Sequence, residues 1–555
     1  MMHVHKGIVV RHTVFYVLED ACHQMFIPGF YHRSRMIVRC DCLASYSVIQ
    51  SLKGNDIMNE SNKVIVKNTS VLLISQIITW VFGLIVTIIL PRYIGPSGAG
   101  QFAIAGAIWM ILGNLVSFGS DAYLIKEIAR KPEKAGNLMG TVLVLRAITF
   151  LISCIGLAIY LYFMHYPMET LIIILIVGLS QPFLQVLTVS ADVLRGIERM
   201  EYISLTDIIA KAINVVLVIL VVTINLGIYV VAALPIVVLI CSLFIQGRGM
   251  RKYIKLQLNF DRAQFRSVLY ASLPFVVSGF VLTAYFQMDT LIMATLVDTH
   301  VMGWYSVAVN VFSTFLFLPT ILSSAFFPTF ARSYGNTSGA GSQLLSKSID
   351  LMFLFGVPIG MGLASISTSA TQLLYGPAFA PASMVLGIMG FVLIFTYLTT
   401  VIGQYTVATD RIHIWTIIMV VALVVTIPLD FWLIPLCETY FGNGGIGGAI
   451  AFLLTEFGMS AAGILLLPKG MVRWSNVRFA LSTVVGGVCM MAACWFVRDQ
   501  FILVPVVVGG LTYVTVIFLL RVVPREDMMI LIEAGRGIIQ RVRSRQAKTT
   551  SPSEV

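Results

Sequence analysis

The sequence predicts an all-α, polytopic membrane protein with about 14 transmembrane helices, arranged as two parallel-repeat six-helix lobes plus two extra helices. Composition, charge placement and an internal repeat carry this reading. Of 555 residues, 58% are apolar and 11% charged, against about 25% charged in a soluble domain. That is too little charge to coat the surfaces of several soluble domains. The apolar residues fall in long blocks separated by charged punctuation. Inside a bilayer each backbone polar group must be paired within its own segment, so these blocks are helices.

At about 20 residues per crossing, the blocks are 69–91, 101–118, 139–163, 168–190, 205–224, 227–246, 267–288, 303–330, 351–374, 381–408, 413–435, 446–468, 476–497 and 501–521. The 205–246 stretch also divides in other ways. Pro235, Pro274, Pro319, Pro358 and Pro428 lie inside blocks, where membrane helices tolerate them as bends.

Lys and Arg test the count. Those of residues 53–68, the even-numbered loops and the tail number 28, and the opposite side has only Arg92 and Arg498. By the positive-inside rule this expects a multi-pass protein of the cell membrane with both termini cytoplasmic. A basic excess of 11 therefore needs membrane lipids as partners and no nucleic acid. The outer loops are too short for an extracytoplasmic domain.

The blocks divide the chain into 61–247 (first lobe), 248–265 (basic linker), 266–468 (second lobe), 469–522 (the extra pair) and 523–555. The last segment places Arg525, Arg536, Arg541, Arg543 and Arg545 around Met528, Ile530, Leu531 and Ile538, the pattern of a basic amphipathic helix on the inner membrane surface. Residues 1–60 do not conform: His3, His5, Cys40 and Cys42 make close pairs without a standard zinc spacing, so no metal site is expected. They form either a disordered leader or an upstream extension, with Met58 as an alternative start. Cys154, Cys241, Cys489 and Cys494 lie in apolar runs as small hydrophobes. Sequons at Asn68 and Asn336 fall on the cytoplasmic side, where no glycan is expected.

The halves echo each other. Gly100-Gln-Phe-Ala-Ile-Ala105 opens the second block and Gly303-Trp-Tyr-Ser-Val-Ala308 the eighth, 203 residues apart; Ala129-Arg130 and Ala331-Arg332 follow them at an offset of 202. Six crossings separate the copies, so both enter the membrane in the same sense, a parallel repeat about an axis along the membrane normal. Two such lobes can rock about a cleft, which makes transport the expected function and a plain scaffold the alternative.

Several stretches resemble the polysaccharide-biosynthesis flippases (Wzx-type) of the multidrug/oligosaccharidyl-lipid/polysaccharide exporter superfamily. They are Pro91-Arg-Tyr-Ile-Gly-Pro-Ser-Gly-Ala-Gly-Gln-Phe102, Arg195-Gly-Ile-Glu-Arg-Met200, Met288-Asp-Thr-Leu-Ile292 with Met302-Gly-Trp-Tyr305, Leu374-Tyr-Gly-Pro-Ala-Phe379, and Gly444-Gly-Ile-Gly-Gly-Ala-Ile-Ala451 with Glu456. The resemblance spans about 62–522. It implies a lipid-linked saccharide on a polyprenyl phosphate or diphosphate carrier, moved from the cytoplasmic to the outer leaflet. A sugar head group cannot cross about 30 Å of hydrocarbon unaided.

Ionisable groups within spans are costly and are functional candidates. Arg146 either binds a substrate phosphate or snorkels to the interface. Asp207 and Lys211, four residues apart, read first as a structural pair at the membrane boundary and second, if they face the cleft, as cavity residues with Lys211 supplying positive charge. Asp289, in a region where the resemblance implies a charged group, suits cation coupling or a gate with Arg92. Glu456 is a protonatable carboxylate at mid-depth, for coupling or for packing. Gln76, Gln287, Asn310 and Gln404 line a sugar path or bind helices together. No catalytic constellation is recognisable, so an enzyme is not expected. No cofactor is expected beyond a coupling cation, H+ or Na+, and the chain reads as a monomer. The rival reading is a cation-coupled multidrug or small-molecule exporter of the same superfamily, and behind it a membrane glycosyltransferase or polymerase.

N-terminal sequencing of the native protein decides between leader and extension, and a first residue of Met58 is the outcome the extension requires. A chain beginning at Met1 would remove the extension.

Overall fold

A computed structural model describes residues 78–254, 261–333, 340–467 and 470–522, and no strand occurs among them. The leader, Gln76, Met58, both sequon asparagines, part of the linker and the basic tail lie outside the described residues. A helical run covers 78–117, interrupted at Gly95, whose φ of +71° turns the backbone away from helical geometry. The run is thus two helices, α1 (78–94) and α2 (96–117). There follow α3 (Ser120–Arg130), α4 (Ala135–Met164), α5 (Met168–Gly196), α6 (Met200–Ile224), α7 (Ile228–Met250), α8 (Arg262–Leu296), α9 (Thr299–Phe315), α10 (Phe317–Ser333), α11 (Ala340–Tyr375), α12 (Ala382–Ala408), α13 (Ile412–Phe441), α14 (Gly445–Leu466), α15 (Trp474–Phe496) and α16 (Leu503–Leu519). We call the end bearing the Arg195, Arg248 and Arg411 loops the basic end, and the end bearing Arg92 and Arg498 the far end.

Among the described residues, twelve helical stretches are long and apolar enough to cross a membrane. The first, Ile78–Arg130, has 53 residues, roughly 80 Å at 1.5 Å per residue, and contains two of the sequence's spans. Helix α16 has 17 residues, a short crossing. Helices α9 and α10 make one span broken at Leu316, where Tyr397 of α12 donates its hydroxyl to the Phe315 carbonyl at 2.8 Å and so occupies a backbone group the break exposes. Helix ends use residues that tolerate a left-handed backbone: Asn225 (φ +58°) closes α6 and Gly442 (φ +62°) closes α13. Asp261 caps α8, accepting from the Ala263 N–H at 2.9 Å.

The apolar residues divide by solvent. Trp109, Ile174, Met302, Tyr305, Val385 and Met389 belong to one core that joins α2, α5, α9 and α12. Leu124, Val142 and Val189 join α3, α4 and α5, and Val357, Met490 and Tyr513 fix α15 and α16 to α11. Leu151, Ile152 and Ile155 of α4 and Val424, Phe431 and Trp432 of α13 are exposed, as suits helix faces whose solvent is hydrocarbon.

The repeated glycines meet in space. A Cβ on Gly100 would run into the Thr299 carbonyl oxygen, and a Cβ on Gly303 would run into the Pro96 carbonyl oxygen. Pro96 and Thr299 are related by the same 203-residue offset as the two glycines, so the far-end starts of α2 and α9 cross reciprocally, backbone on backbone. Only glycine permits that approach, as at small-residue crossings of membrane helices.

Gly100→Ala and Gly303→Ala are each expected to destabilise the purified protein by about 1–3 kcal/mol, the range for overpacking. Gly83→Ala, whose Cβ would meet nothing within 4 Å, should not. Thermal unfolding of the three variants compares them, and an unshifted G100A or G303A would contradict the crossing.

Candidate functional site

Two clusters of polar side chains lie within the spanning helices. The first is built on the turn between α2 and α3. Gly119 adopts φ +59°, and a Cβ there would meet the backbone of α8 at Phe275 and Val276, so glycine is required twice over. The turn sets Ser120 and Asp121 in the first turn of α3, against Arg146 of α4. The Arg146 guanidinium is 2% exposed. Its Nε and Nη2 donate to Ser120 Oγ at 3.2 and 3.1 Å, and Nη2 also donates to Asp121. Nη1 donates to Thr188 Oγ1 at 2.7 Å, to Gln185 Oε1 at 2.9 Å and to the Gln185 carbonyl at 3.3 Å. Asp192 Oδ2 stands 3.9 Å from Nη2, while its Oδ1 accepts from Arg195 at 2.8 Å.

Beside this network is a cavity of about 570 Å³, walled by Trp109, Asp121, Gln181, Gln185, Thr188 and Arg195 among others. The Trp109 ring of α2 packs on α5 where Gly178 leaves room for it, and its indole N–H donates to the Ile174 carbonyl at 2.8 Å. Arg146 stands behind the wall with all three of its nitrogens engaged. The sequence expectation of a phosphate gripped directly by Arg146 therefore changes: Arg146 orients Asp121, Gln185 and Thr188, and the half-exposed Arg195 is the cation at the cavity.

The second cluster joins α8, α9, α12, α13 and α14. Glu456 of α14 accepts from Tyr285 at 3.1 Å and from Thr399 at 2.9 Å. Asp289 of α8 accepts from Tyr305 at 3.4 Å and faces Asp430 of α13. Asp430 is fully buried, and neither of its oxygens, nor Oδ1 of Asp289, has a protein hydrogen-bond donor among the described residues. Two buried carboxyls face to face cannot both be bare anions. A cavity of about 460 Å³ reaches Glu456 from the basic side, lined also by Tyr285, Thr399 and Gln404.

The remaining candidates are dispersed. Arg92 donates to the carbonyls of Leu373 and Leu374 at the end of α11, the latter at 2.7 Å. Among the described residues it makes no ion pair with Asp289, so the gate expected between them is replaced by a tie from α1 to α11. Gln287 of α8 reaches Met110 Sδ of α2 at 3.1 Å, and Asn310 is exposed. Asp207 and Lys211 are both exposed on α6, and Asp207 also feels the charge of Arg195.

Sequence reasoning missed Asp430, although an aspartate inside the 413–435 block meets the criterion that selected Glu456. It also missed Asp121 and Asp192, because the helices outrun the apolar blocks that define them in the sequence.

Residues 65–334 match the family described as polysaccharide biosynthesis protein. No curated protein matches the chain in sequence. Among solved structures it is similar to the Lipid II flippase MurJ in an inward closed conformation, with TM-score 0.64 and 16% identity over 80% of this chain and 97% of that one. It is also similar to an inward-facing multidrug resistance MATE family transporter of the MOP superfamily (TM-score 0.58, 13% identity, 70% and 93% covered) and to a eukaryotic MATE transporter (0.54, 15%, 76% and 100%). At these identities the likeness establishes a common fold, that of polytopic membrane transporters.

Arg146→Ala is expected to lower the unfolding temperature of the purified protein while leaving membrane insertion intact, because removing one partner of a buried ion network costs on the order of 3–5 kcal/mol. Arg195→Ala, at a half-exposed position, should cost about 1 kcal/mol or less. Thermal unfolding separates the two, and equal shifts would contradict the buried role of Arg146.

Proposed function

Because residues 65–334 match the polysaccharide biosynthesis protein family, we propose that the chain is a flippase. It carries a lipid-linked oligosaccharide or polysaccharide precursor from the cytoplasmic leaflet, at its basic end, to the outer leaflet by alternating access. The observation that carries this reading is the 570 Å³ cavity within spanning helices, where Asp121, Gln181, Gln185, Thr188 and Arg195 stand among apolar side chains such as Trp109 and Leu184. Gln181, Gln185 and Thr188 offer the mixed donors and acceptors that sugar hydroxyls need, and Arg195 suits a phosphate of the polyprenyl carrier. The head group travels against these side chains while its lipid tail remains in the bilayer. The pair Asp289–Asp430, with Glu456 nearby, is the coupling element: loading by H+ or Na+ changes the charge at the centre of the second cluster, and that change biases the two access states.

A cation-coupled exporter of small molecules is the second reading, since two of the neighbours above are MATE transporters. The pair α15–α16, beyond the twelve helices usual for that class, favours the flippase.

Deleting the gene is expected to leave lipid-linked oligosaccharide accumulated on the cytoplasmic leaflet. No accumulation together with new drug sensitivity would favour the exporter. In reconstituted vesicles Asp430→Asn should abolish the dependence of transport on the cation gradient, removing a coupling of about 1–3 kcal/mol, roughly 5–150-fold. Retention of full gradient dependence would exclude the carboxyl pair.

A further inference from the structure

A cavity of about 880 Å³ belongs to neither cluster. It lies at the far end, between the last third of α11 and the turn from α15 to α16. On the α11 wall are Ser367, Thr368, Ser369 and Gln372; on the other are Trp495, Arg498 and Asp499.

Three features define what this cavity takes. First, the α11 wall is polar, and Thr368 and Gln372 on it are exposed. Ser365 returns its hydroxyl to the Met361 carbonyl at 2.7 Å, but among the described residues Ser367, Thr368, Ser369 and Gln372 have no side-chain hydrogen-bond partner in the protein. An acyl chain lying here would strand these groups in an apolar contact. Second, the charge is balanced. Arg498 and Asp499 stand 3.7 Å apart, so an anion meets Asp499 and a cation meets Arg498. Together the groups supply donors, acceptors and hydroxyls that serve as both, which matches a neutral polyhydroxylated ligand. Third, the Trp495 indole is exposed, and the Arg498 guanidinium is 3.9 Å from its ring centroid. That contact holds in place a broad apolar surface with a polar edge, of the kind that packs on the C–H face of a sugar ring.

We propose that this cavity is a saccharide-binding site on the far side of the membrane, where it receives the neutral sugars of the translocated head group. The assignment of the ligand rests on the flippase reading given above. The site also bears on the closure of the bundle. Leu373, which lines the cavity, gives its carbonyl to Arg92, so the wall that holds the sugar is tied to α1.

The test uses the full chain in phosphatidylcholine nanodiscs with Thr368→Cys, an exposed position on the wall, labelled by a membrane-impermeant maleimide and compared with the unsubstituted protein. The probe is the oligosaccharide mixture released by mild acid from the host's own lipid-linked pool, freed of lipid and phosphate. It is expected to slow labelling roughly tenfold at ten times the half-protecting concentration. Adding Trp495→Ala or Gln372→Leu should raise that concentration several-fold with the unfolding temperature unchanged. Absence of labelling, labelling indifferent to the oligosaccharide, or equal protection by inorganic phosphate or by phosphatidylglycerol in the nanodisc would overturn the proposal. If deletion of the gene causes accumulation but the Thr368→Cys variant is never protected, only the saccharide site falls. If protection is found without accumulation, the flippase reading falls and the cavity remains a sugar site.

Discussion

Inside a bilayer there is no water to complete an unfinished hydrogen bond, and each polar atom must find its partner within the protein. The arrangement of this chain follows from that constraint. The Phe315 carbonyl, exposed where α9 gives way to α10, takes the Tyr397 hydroxyl. The Arg146 guanidinium draws Ser120, Asp121, Gln185 and Thr188 around itself, and in doing so fixes three helices at one corner of the first cavity. Asp430 is the exception: it is fully buried, and among the described residues its two carboxyl oxygens have no hydrogen-bond donor.

The two halves share a backbone plan but not a charge plan. Gly100 and Gly303 make the same crossing from opposite partners. The first half then balances two arginines against two aspartates around a cavity, while the second gathers Asp289, Asp430 and Glu456. A balanced polar surface binds a head group through many modest contacts. A concentration of buried acid responds to a proton or cation. On the flippase reading proposed above, these two charge plans would divide the cargo and its driving force between related halves.

Much of this is legible in the sequence. Block length, the bias of Lys and Arg, and the echo at 203 residues are local or periodic signals, and they set the spans and the repeat. Partnerships are not legible. Arg146 meets Asp121 across 25 residues and Thr188 across 42, distances over which sequence spacing says nothing about approach. Arg92 and Asp289 fall on the same side of the topology, which suggests a pair. In space Arg92 instead completes the carbonyls at the end of α11, because a helix C-terminus carries partial negative charge. Asp121 and Asp192 read as loop residues only because the apolar blocks stop before the helices do.

Helix α16 is 17 residues long, about 25 Å at 1.5 Å per residue, whereas typical hydrocarbon is about 30 Å thick. A mismatch of that size is relieved by local thinning of the bilayer. Tyr513 and Ile517 of α16 pack with Val357 and Met361 of α11, so the flank at which the two leaflets come nearest each other is the one α16 shares with α11.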